Sequence, residues 1–151
     1  MAREGLERLD GVASVDEDPD LTNRTARVYL KKRRWLAPAQ ISKHVEDLHI
    51  GATLRGVEAT VQGTVIRKGE DLLLRVSGLT QPLKLVPLCQ KVQQNPATKA
   101  PQPITVRERH AYAGLLEQLQ HRGAKRACIT GVLVGNPGGL YQLQVRKVVW
   151  R

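Results

Sequence analysis

Apolar positions in the first part of the chain recur first at helical and then at strand-like spacing. Two leucines three residues apart among charged side chains predict a helix over residues 3–9. Alternating apolar residues over 12–15 and 24–30, with a polar segment between them, predict two strands that form a hairpin. Apolar residues at spacings of four and three predict a second helix over residues 38–49.

The rest of the chain is rich in predicted strands. Alternation over residues 52–67 predicts a long strand, and apolar runs over 72–76 and 83–88 predict two more, separated by turns that contain Gly or Pro. The Gln-, Pro- and Lys-rich segment 90–103 has no periodicity, so we expect a surface loop there.

A helix and a second hairpin are predicted after that loop. Thr105 with Glu108 three residues later is a capping-box pattern, and the apolar spacing that follows predicts a helix over residues 105–121. Residues 127–134 and 140–150 predict two strands joined by Gly-Asn-Pro-Gly-Gly, a strong hairpin signal.

The net charge of +10 is concentrated in the second part of the chain. Residues 1–57 carry ten Lys and Arg against nine Asp and Glu, a balance of +1, whereas residues 58–151 carry fourteen against five, a balance of +9. This asymmetry favours two domains, 1–57 and 58–151. It is also typical of a nucleic-acid or other anionic partner.

Nothing in the sequence predicts a membrane span or a secretion signal. No stretch approaches the roughly 18 consecutive apolar residues of a spanning helix, and residues 1–20 carry charges where a signal peptide would be apolar. We therefore expect a soluble, cytoplasmic protein with no membrane partner. Cys89 and Cys128 stand 39 positions apart in apolar segments, which favours reduced thiols in the core over a disulfide.

Several segments of the first part are similar to heavy-metal-associated domains. Residues 6–15, with Leu9-Asp10-Gly11-Val12 as the most specific element, resemble the end of the first helix and the second strand of that family. Residues 25–28 are similar to its third strand, and residues 36–41 through 51–54 to its second helix and fourth strand.

This resemblance covers about residues 3–57 and implies a ferredoxin-like βαββαβ fold. Members of the family bind a soft cation such as copper(I) with a Cys-x-x-Cys loop between the first strand and the first helix, where two thiolates hold the metal together. Met1 falls inside the first helix, so that strand and loop are missing. The resemblance therefore implies no metal ligand or cofactor in this chain, and copper or another soft metal only for a longer parent protein.

Two explanations of the missing strand stay open. The chain is either a fragment whose metal loop lies upstream, which we prefer slightly, or a degenerate member that keeps the fold for protein contacts. The lost strand is central in the family's sheet, and its loss leaves unpaired backbone edges. If Met1 is the true start, we expect a protein partner or a homodimer contact to cover the open edge.

The order of predicted elements in residues 58–150 resembles that of an OB-fold, a five-stranded barrel with one helix between its third and fourth strands. Many OB-folds bind single-stranded nucleic acid through a basic groove and aromatic stacking platforms. The charge of the segment fits this use, but its only aromatic residues are Tyr112, Tyr141 and Trp150. Such binding is therefore expected to act through phosphates.

The predicted contacts for nucleic acid are six basic residues of the second part: Arg67, Lys68, Arg75, Lys84, Arg146 and Lys147. The basic run over residues 31–34 is consistent with either a phosphate patch or a solvated loop, and its shortness favours the loop.

No pattern in the sequence points to catalysis. His44 and His49 stand five apart and His110 and His121 eleven apart, neither of which is the spacing of a zinc helix. Gly-rich phosphate loops, nucleophile elbows and Cys–His arrangements do not occur. We therefore predict a non-enzymatic α+β binding protein.

Two functions are predicted for it. The first is binding of the heavy-metal-associated type, with soft-metal handling if an upstream Cys-x-x-Cys segment exists and a protein-interaction or regulatory role otherwise. The alternative is a basic OB-fold module for single-stranded nucleic acid.

Overall fold

The computed structural model describes Arg8, residues 12–17 and 26–30, Trp35, Gln40, Lys43, and residues 56–95, 97–98, 100–120, 124–135 and 139–151. These residues form strands and one long helix, an α+β arrangement. The elements are β1 (Val12–Glu17), β2 (Ala26–Leu30), β3 (Glu58–Lys68), β4 (Asp71–Arg75), β5 (Leu83–Pro87), α1 (Val106–Gln120), β6 (Ala124–Val134) and β7 (Gln142–Trp150).

β1 and β2 form the predicted N-terminal hairpin. They pair antiparallel, with Val12 opposite Leu30 and Glu17 opposite Ala26, and Val12 and Val15 are buried. Gln40 and Lys43 have helical backbone. Otherwise the predicted helices over residues 3–9 and 38–49 and the basic run 31–34 lie outside the described residues, apart from Arg8 in the first of them.

The other five strands form one mixed sheet that closes on itself. Its order is β3-β4-β5-β7-β6, and β6 pairs in turn with β3. All neighbours are antiparallel except β5 and β7, which are parallel. Because every strand has two partners, the sheet leaves no strand edge open. The whole ring lies within residues 58–150.

The core of this closed sheet follows from the alternation of each strand. Successive side chains of a strand point to opposite faces, so every second residue enters the interior. α1 adds Leu115 and Leu119, four residues apart on one helical face, to the same core. The buried strand residues of this core are Val61, Val65, Leu72, Leu74, Leu83, Leu85, Ala127, Ile129, Leu133, Leu143 and Val145.

Two glycines allow strands of the ring to approach closely. A Cβ atom built on Gly63 would collide with the carbonyl of Arg75, and one built on Gly131 would lie 2.8 Å from the carbonyl carbon of Gln144. Only a residue without a side chain fits at such positions. The tight curvature of the ring therefore depends on glycine in β3 and β6.

Most predicted boundaries of the second part lie within two residues of those in the structure, and two need comment. β3 begins at Glu58, after residues 56 and 57, which are not in a strand; residues 52–55 of the predicted strand lie outside the described residues. β6 begins at Ala124, three residues earlier than predicted. The early start of β6 comes from pairing of Ala124 with Ile66, a contact with a strand far away in the sequence. Local alternation does not contain that information.

The prediction that both cysteines are core thiols is wrong. Cys89 is exposed in the loop after β5, and Cys128 is only half-buried. Cys128 lies between buried Ala127 and Ile129, so the alternation of β6 turns its side chain outward. Both thiols are free, as expected.

Candidate nucleic-acid interface

A β-bulge in β7 determines the position of Arg146. The register against β6 skips Arg146 between Val145 and Lys147, so Arg146 is the extra residue of the bulge. A bulge of this kind bends the strand and re-aims the side chain. The guanidinium of Arg146 lies 2.6 Å from Glu58 and 3.4 Å from Glu108, and its side chain is 25% exposed.

Glu108 lies at the start of α1 and completes the predicted capping box. The backbone N–H of Thr105 donates to the Glu108 carboxylate at 2.9 Å, and the backbone N–H of Glu108 donates to the Thr105 hydroxyl at 3.2 Å. The ammonium of Lys91 donates to the same carboxylate at 3.0 Å. Burial raises the pKa of Glu108, but the hydrogen bonds from Thr105 and Lys91 and the charge of Lys91 outweigh it and lower the pKa from 4.5 to about 2.

Glu58, Lys91, Glu108 and Arg146 therefore form one ion-pair cluster with two charges of each sign. Burial lowers the pKa of Arg146. The hydrogen bonds to Glu58 and Glu108, and the negative charges of these two residues, outweigh burial, so the pKa is raised above its ordinary value. The cluster joins the start of β3, the start of α1 and the bulge of β7. Because its charges balance within the cluster, we assign it a structural role.

The outward-facing side of β3, β6 and β7 carries exposed arginines rather than ion pairs. Thr64 pairs with Arg75 on one side and with Arg126 on the other, and the backbone N–H of Arg151 donates to the carbonyl of Arg126 at 3.0 Å. Adjacent strands lie about 4.8 Å apart. The three arginines therefore form a row across four neighbouring strands, and all three are exposed.

We name this surface the outer face. Its members share the outward phase of their strands, since the residues between them on β3 and β6 are buried. They are Thr60, Gln62 and Thr64 on β3, Arg75 at the end of β4, Arg126, Cys128 and Thr130 on β6, and Lys147, Val149 and Arg151 on or next to β7.

The outer face is basic and contains no acidic residue. Its cations are the three arginines of the row and Lys147, and none of them has an ion pair within the part of the chain that the structure describes. The hydroxyls of Thr60 and Thr130 lie 2.9 Å apart in the middle of the face. Glu58, the next outward residue of β3, already binds Arg146. The arrangement suits a chain of anions laid across the strands.

The opposite side of the ring, on β4 and β5, is less suitable for binding a polyanion. Leu73 has the outward phase between Leu72 and Leu74 but is only 7% exposed, so that side is already covered. Asp71 lies 3.7 Å from Lys84 and offsets its charge. An acidic residue and a covered strand both disfavour a polyanion there.

The structure separates the six basic residues predicted as contacts. Arg75 and Lys147 belong to the outer face, whereas Arg67 and Lys68 lie beside the turn between β3 and β4. The remaining two are engaged: Lys84 pairs with Asp71, and Arg146 belongs to the ion-pair cluster. The Arg146 guanidinium is held between two carboxylates, so this residue does not belong to the outer face.

Sequence reasoning missed Arg126 and Arg151. Arg126 alternates with the apolar residues Ala127 and Ile129 of the same strand, and this pattern marks it as outward. The alignment of both arginines with Arg75 depends on the register of four strands, which the sequence does not display.

The aromatic residues of the second part do not lie on the outer face. Tyr112, Tyr141 and Trp150 are half-buried and pack against the core. The ammonium of Lys125 lies 4.8 Å from the centre of the Trp150 ring, within the range of a cation–π interaction. The outer face itself therefore offers charge and hydroxyl groups but no stacking platform.

Neither a cluster of metal-ligating side chains nor a membrane-crossing helix is found in the described ranges. No group of three or more His, Cys, Asp or Glu side chains there is arranged to hold a metal ion, and His110 is exposed on α1. None of the helical segments that the structure describes is long and apolar enough to cross a membrane.

Comparisons with protein-family models, with curated proteins and with solved structures find no match to this chain.

Proposed function

We propose that residues 58–151 form an OB-like binding module that holds single-stranded nucleic acid through its phosphates on the outer face. The observation that carries the proposal is the row of Arg75, Arg126 and Arg151 on a surface without acidic residues. The strand order of the ring, with a helix between its third and fourth strands, supports the OB-like assignment.

Arginine is suited to this role because its planar guanidinium donates two parallel hydrogen bonds to a phosphate. Thr60, Gln62 and Thr130 add short neutral groups that bind phosphate or sugar oxygens. Because the face has no aromatic platform, binding there is independent of base sequence and sensitive to salt. The proposed role is binding without catalysis.

The test is a titration of the full chain with oligo(dT) of about 12 nucleotides, a length within the ~4–16 nucleotides that one OB-fold covers. At low salt we expect binding, and we expect Arg126→Glu and Arg151→Glu each to weaken it by about tenfold or more, because each places a repelling charge in the row. Fluorescence anisotropy of a labelled strand measures the affinity.

Arg109→Glu is the matched control. Arg109 is exposed on α1 and does not belong to the outer face, so the same charge change there leaves the affinity within about twofold. Absence of binding at low salt, or an equal loss in all three variants, would refute the outer face as the interface.

We propose for the N-terminal part a scaffold of the heavy-metal-associated type. The antiparallel hairpin of β1 and β2 supports this, since a βαββαβ fold has such a hairpin between its two helices. Handling of copper or another soft metal requires a Cys-x-x-Cys segment before residue 3; without it, the scaffold serves a protein partner or a second copy of the chain.

The coding sequence upstream of Met1 tests the metal-handling branch. We expect an in-frame Cys-x-x-Cys preceded by an apolar strand, and copper(I) binding by the longer protein that is lost when both cysteines are changed to Ser. A stop codon directly before Met1 would exclude metal handling by this route and leave the protein-contact role.

A further inference from the structure

A groove of about 620 Å³ lies along the contact between α1 and β7 and opens beside the outer face. Its size is within the roughly 300–1,000 Å³ of small-molecule sites. Lys147 and Val149 belong both to the groove and to the outer face, and Val149 is 45% exposed. The residues that matter for its chemistry are His110, Gly114, Glu117 and Gln118 on α1 and Lys147 and Trp150 on β7.

Gly114 keeps the helix side of the groove open. A Cβ atom at this position would meet no atom within 4 Å, so packing does not demand glycine there. Glycine is among the least favourable residues in a helix interior. The helix therefore presents no side chain to the groove at this position, and a small one would still leave space there.

On the β7 side of the groove, the indole ring of Trp150 forms part of the lining. Its ring packs against the core and borders the groove, whereas Lys125, which lies over the ring at 4.8 Å, does not line the groove. The ring is therefore held from the core side and by Lys125. A flat ligand in the groove would meet a pre-positioned indole.

The charges of the groove distinguish its ligand from that of the outer face. Lys91, Glu108 and Arg146 also line it, but they are paired within the ion-pair cluster. The remaining charges are Arg107, Glu117 and Lys147, of both signs. A phosphate would meet the Glu117 carboxylate, whereas an uncharged base finds donors and acceptors in His110, Glu117 and Gln118.

We propose that this groove receives one unstacked nucleobase of the same strand whose phosphates lie on the outer face. The inference rests on the proposed function and adds a subsite to it. Lys147 binds the phosphate at the junction, and the base turns inward between Gly114 and Trp150. The module then prefers strands that carry bases over a bare sugar-phosphate chain.

The experiment compares oligo(dT) of about 12 nucleotides with an abasic strand of the same length and charge. We expect the full chain to bind oligo(dT) about fivefold or more tightly than the abasic strand, the contribution of at least one stacked base. Gly114→Leu fills the groove, so it removes most of this preference and leaves the affinity for the abasic strand unchanged. Gly114→Ala, which adds one carbon in open space, is the matched control and retains the preference.

Each outcome decides between the two proposals. Equal affinity of wild type for the two strands overturns the base subsite while the outer face stands, and so does a preference that survives Gly114→Leu in a variant folded by circular dichroism. If Gly114→Leu does not fold, the wild-type ratio of the two affinities decides alone. Binding of neither strand at low salt overturns the proposed function itself, and with it the subsite.

Discussion

Gly131 lies where β6 and β7 approach more closely than side chains permit. A Cβ atom there would collide with the carbonyl of Gln144, a backbone group that cannot rotate away. We expect Gly131→Ala to lower the free energy of unfolding by about 2 kcal/mol or more, within the range for overpacked sites. Urea denaturation followed by circular dichroism measures the change.

Gly114→Ala is the control for backbone entropy. Its added methyl group meets open space on a helix, so we expect that variant to be more stable by about 0.5–1 kcal/mol. If Gly131→Ala were as stable as wild type, the close approach of β6 to Gln144 would not be a constraint on the fold.

Glu108 makes the stability of the protein depend on acid pH. Its pKa is lowered from 4.5 to about 2 in the folded protein, so the ionised form is favoured by folding. This contribution to stability is complete above pH 4.5 and is lost as the pH falls from 4.5 towards about 2. We therefore expect the melting temperature to decline over that window.

Glu108→Gln separates this effect from general acid unfolding. The amide still accepts a hydrogen bond from Thr105 but carries no charge, so we expect a lower melting temperature at pH 7 and a shallower decline between pH 4.5 and 2. Parallel pH profiles of the variant and of wild type would contradict the role assigned to the Glu108 charge.

At the scale of elements, the bulge in β7 joins three parts of the fold. Arg146, the extra residue of the bulge, contacts both Glu58 on β3 and Glu108 on α1. The cluster explains how α1 is held against the ring by more than apolar packing.

A double-mutant cycle tests the strength of this connection. For Arg146→Met with Glu58→Gln we expect a coupling energy of about 1–3 kcal/mol, because the pair is half-buried and 2.6 Å apart. Lys84→Met with Asp71→Asn is the matched cycle on an exposed pair at 3.7 Å, with an expected coupling below about 1 kcal/mol. Equal coupling in the two cycles would show that burial of the cluster adds nothing.

At the scale of the whole molecule, the charged residues of the ring divide into ion pairs and a basic surface. Acidic residues 58, 71 and 108 are paired with cations, and residues 70 and 117 lie in the turn after β3 and on α1, so the outer face has four cations and no anion. Part of the positive charge of residues 58–151 is thus concentrated on one surface, the outer face.

Salt dependence measures how many of these cations bind phosphates. Neutralising four phosphates of a single strand predicts a slope of log affinity against log salt of about −3, since each contributes about −0.7. Arg126→Gln should reduce the magnitude of the slope by about 0.7 in titrations at several salt concentrations. A slope near zero would exclude binding through phosphates.

The predicted elements of the second part agree well with the structure because they depend on local signals. The capping box at Thr105 and Glu108, the helix after it and the alternation of the strands are determined by residues within a few positions of one another. The core prediction for the cysteines is wrong because β6 buries only one of its faces and because Cys89 lies in the loop after β5. For the N-terminal part, the hairpin is the element that the structure tests.

The sequence by itself determined which segments of the second part form strands and a helix, and where the positive charge accumulates. Tertiary structure alone decided how the charge is used. The closed register places Arg75, Arg126 and Arg151 in one row, and the bulge removes Arg146 from that surface into an ion-pair cluster. The reason is physical: strand pairing and the ion pair of Arg146 with Glu58 join residues up to 88 positions apart, and local periodicity carries no information about register between distant strands.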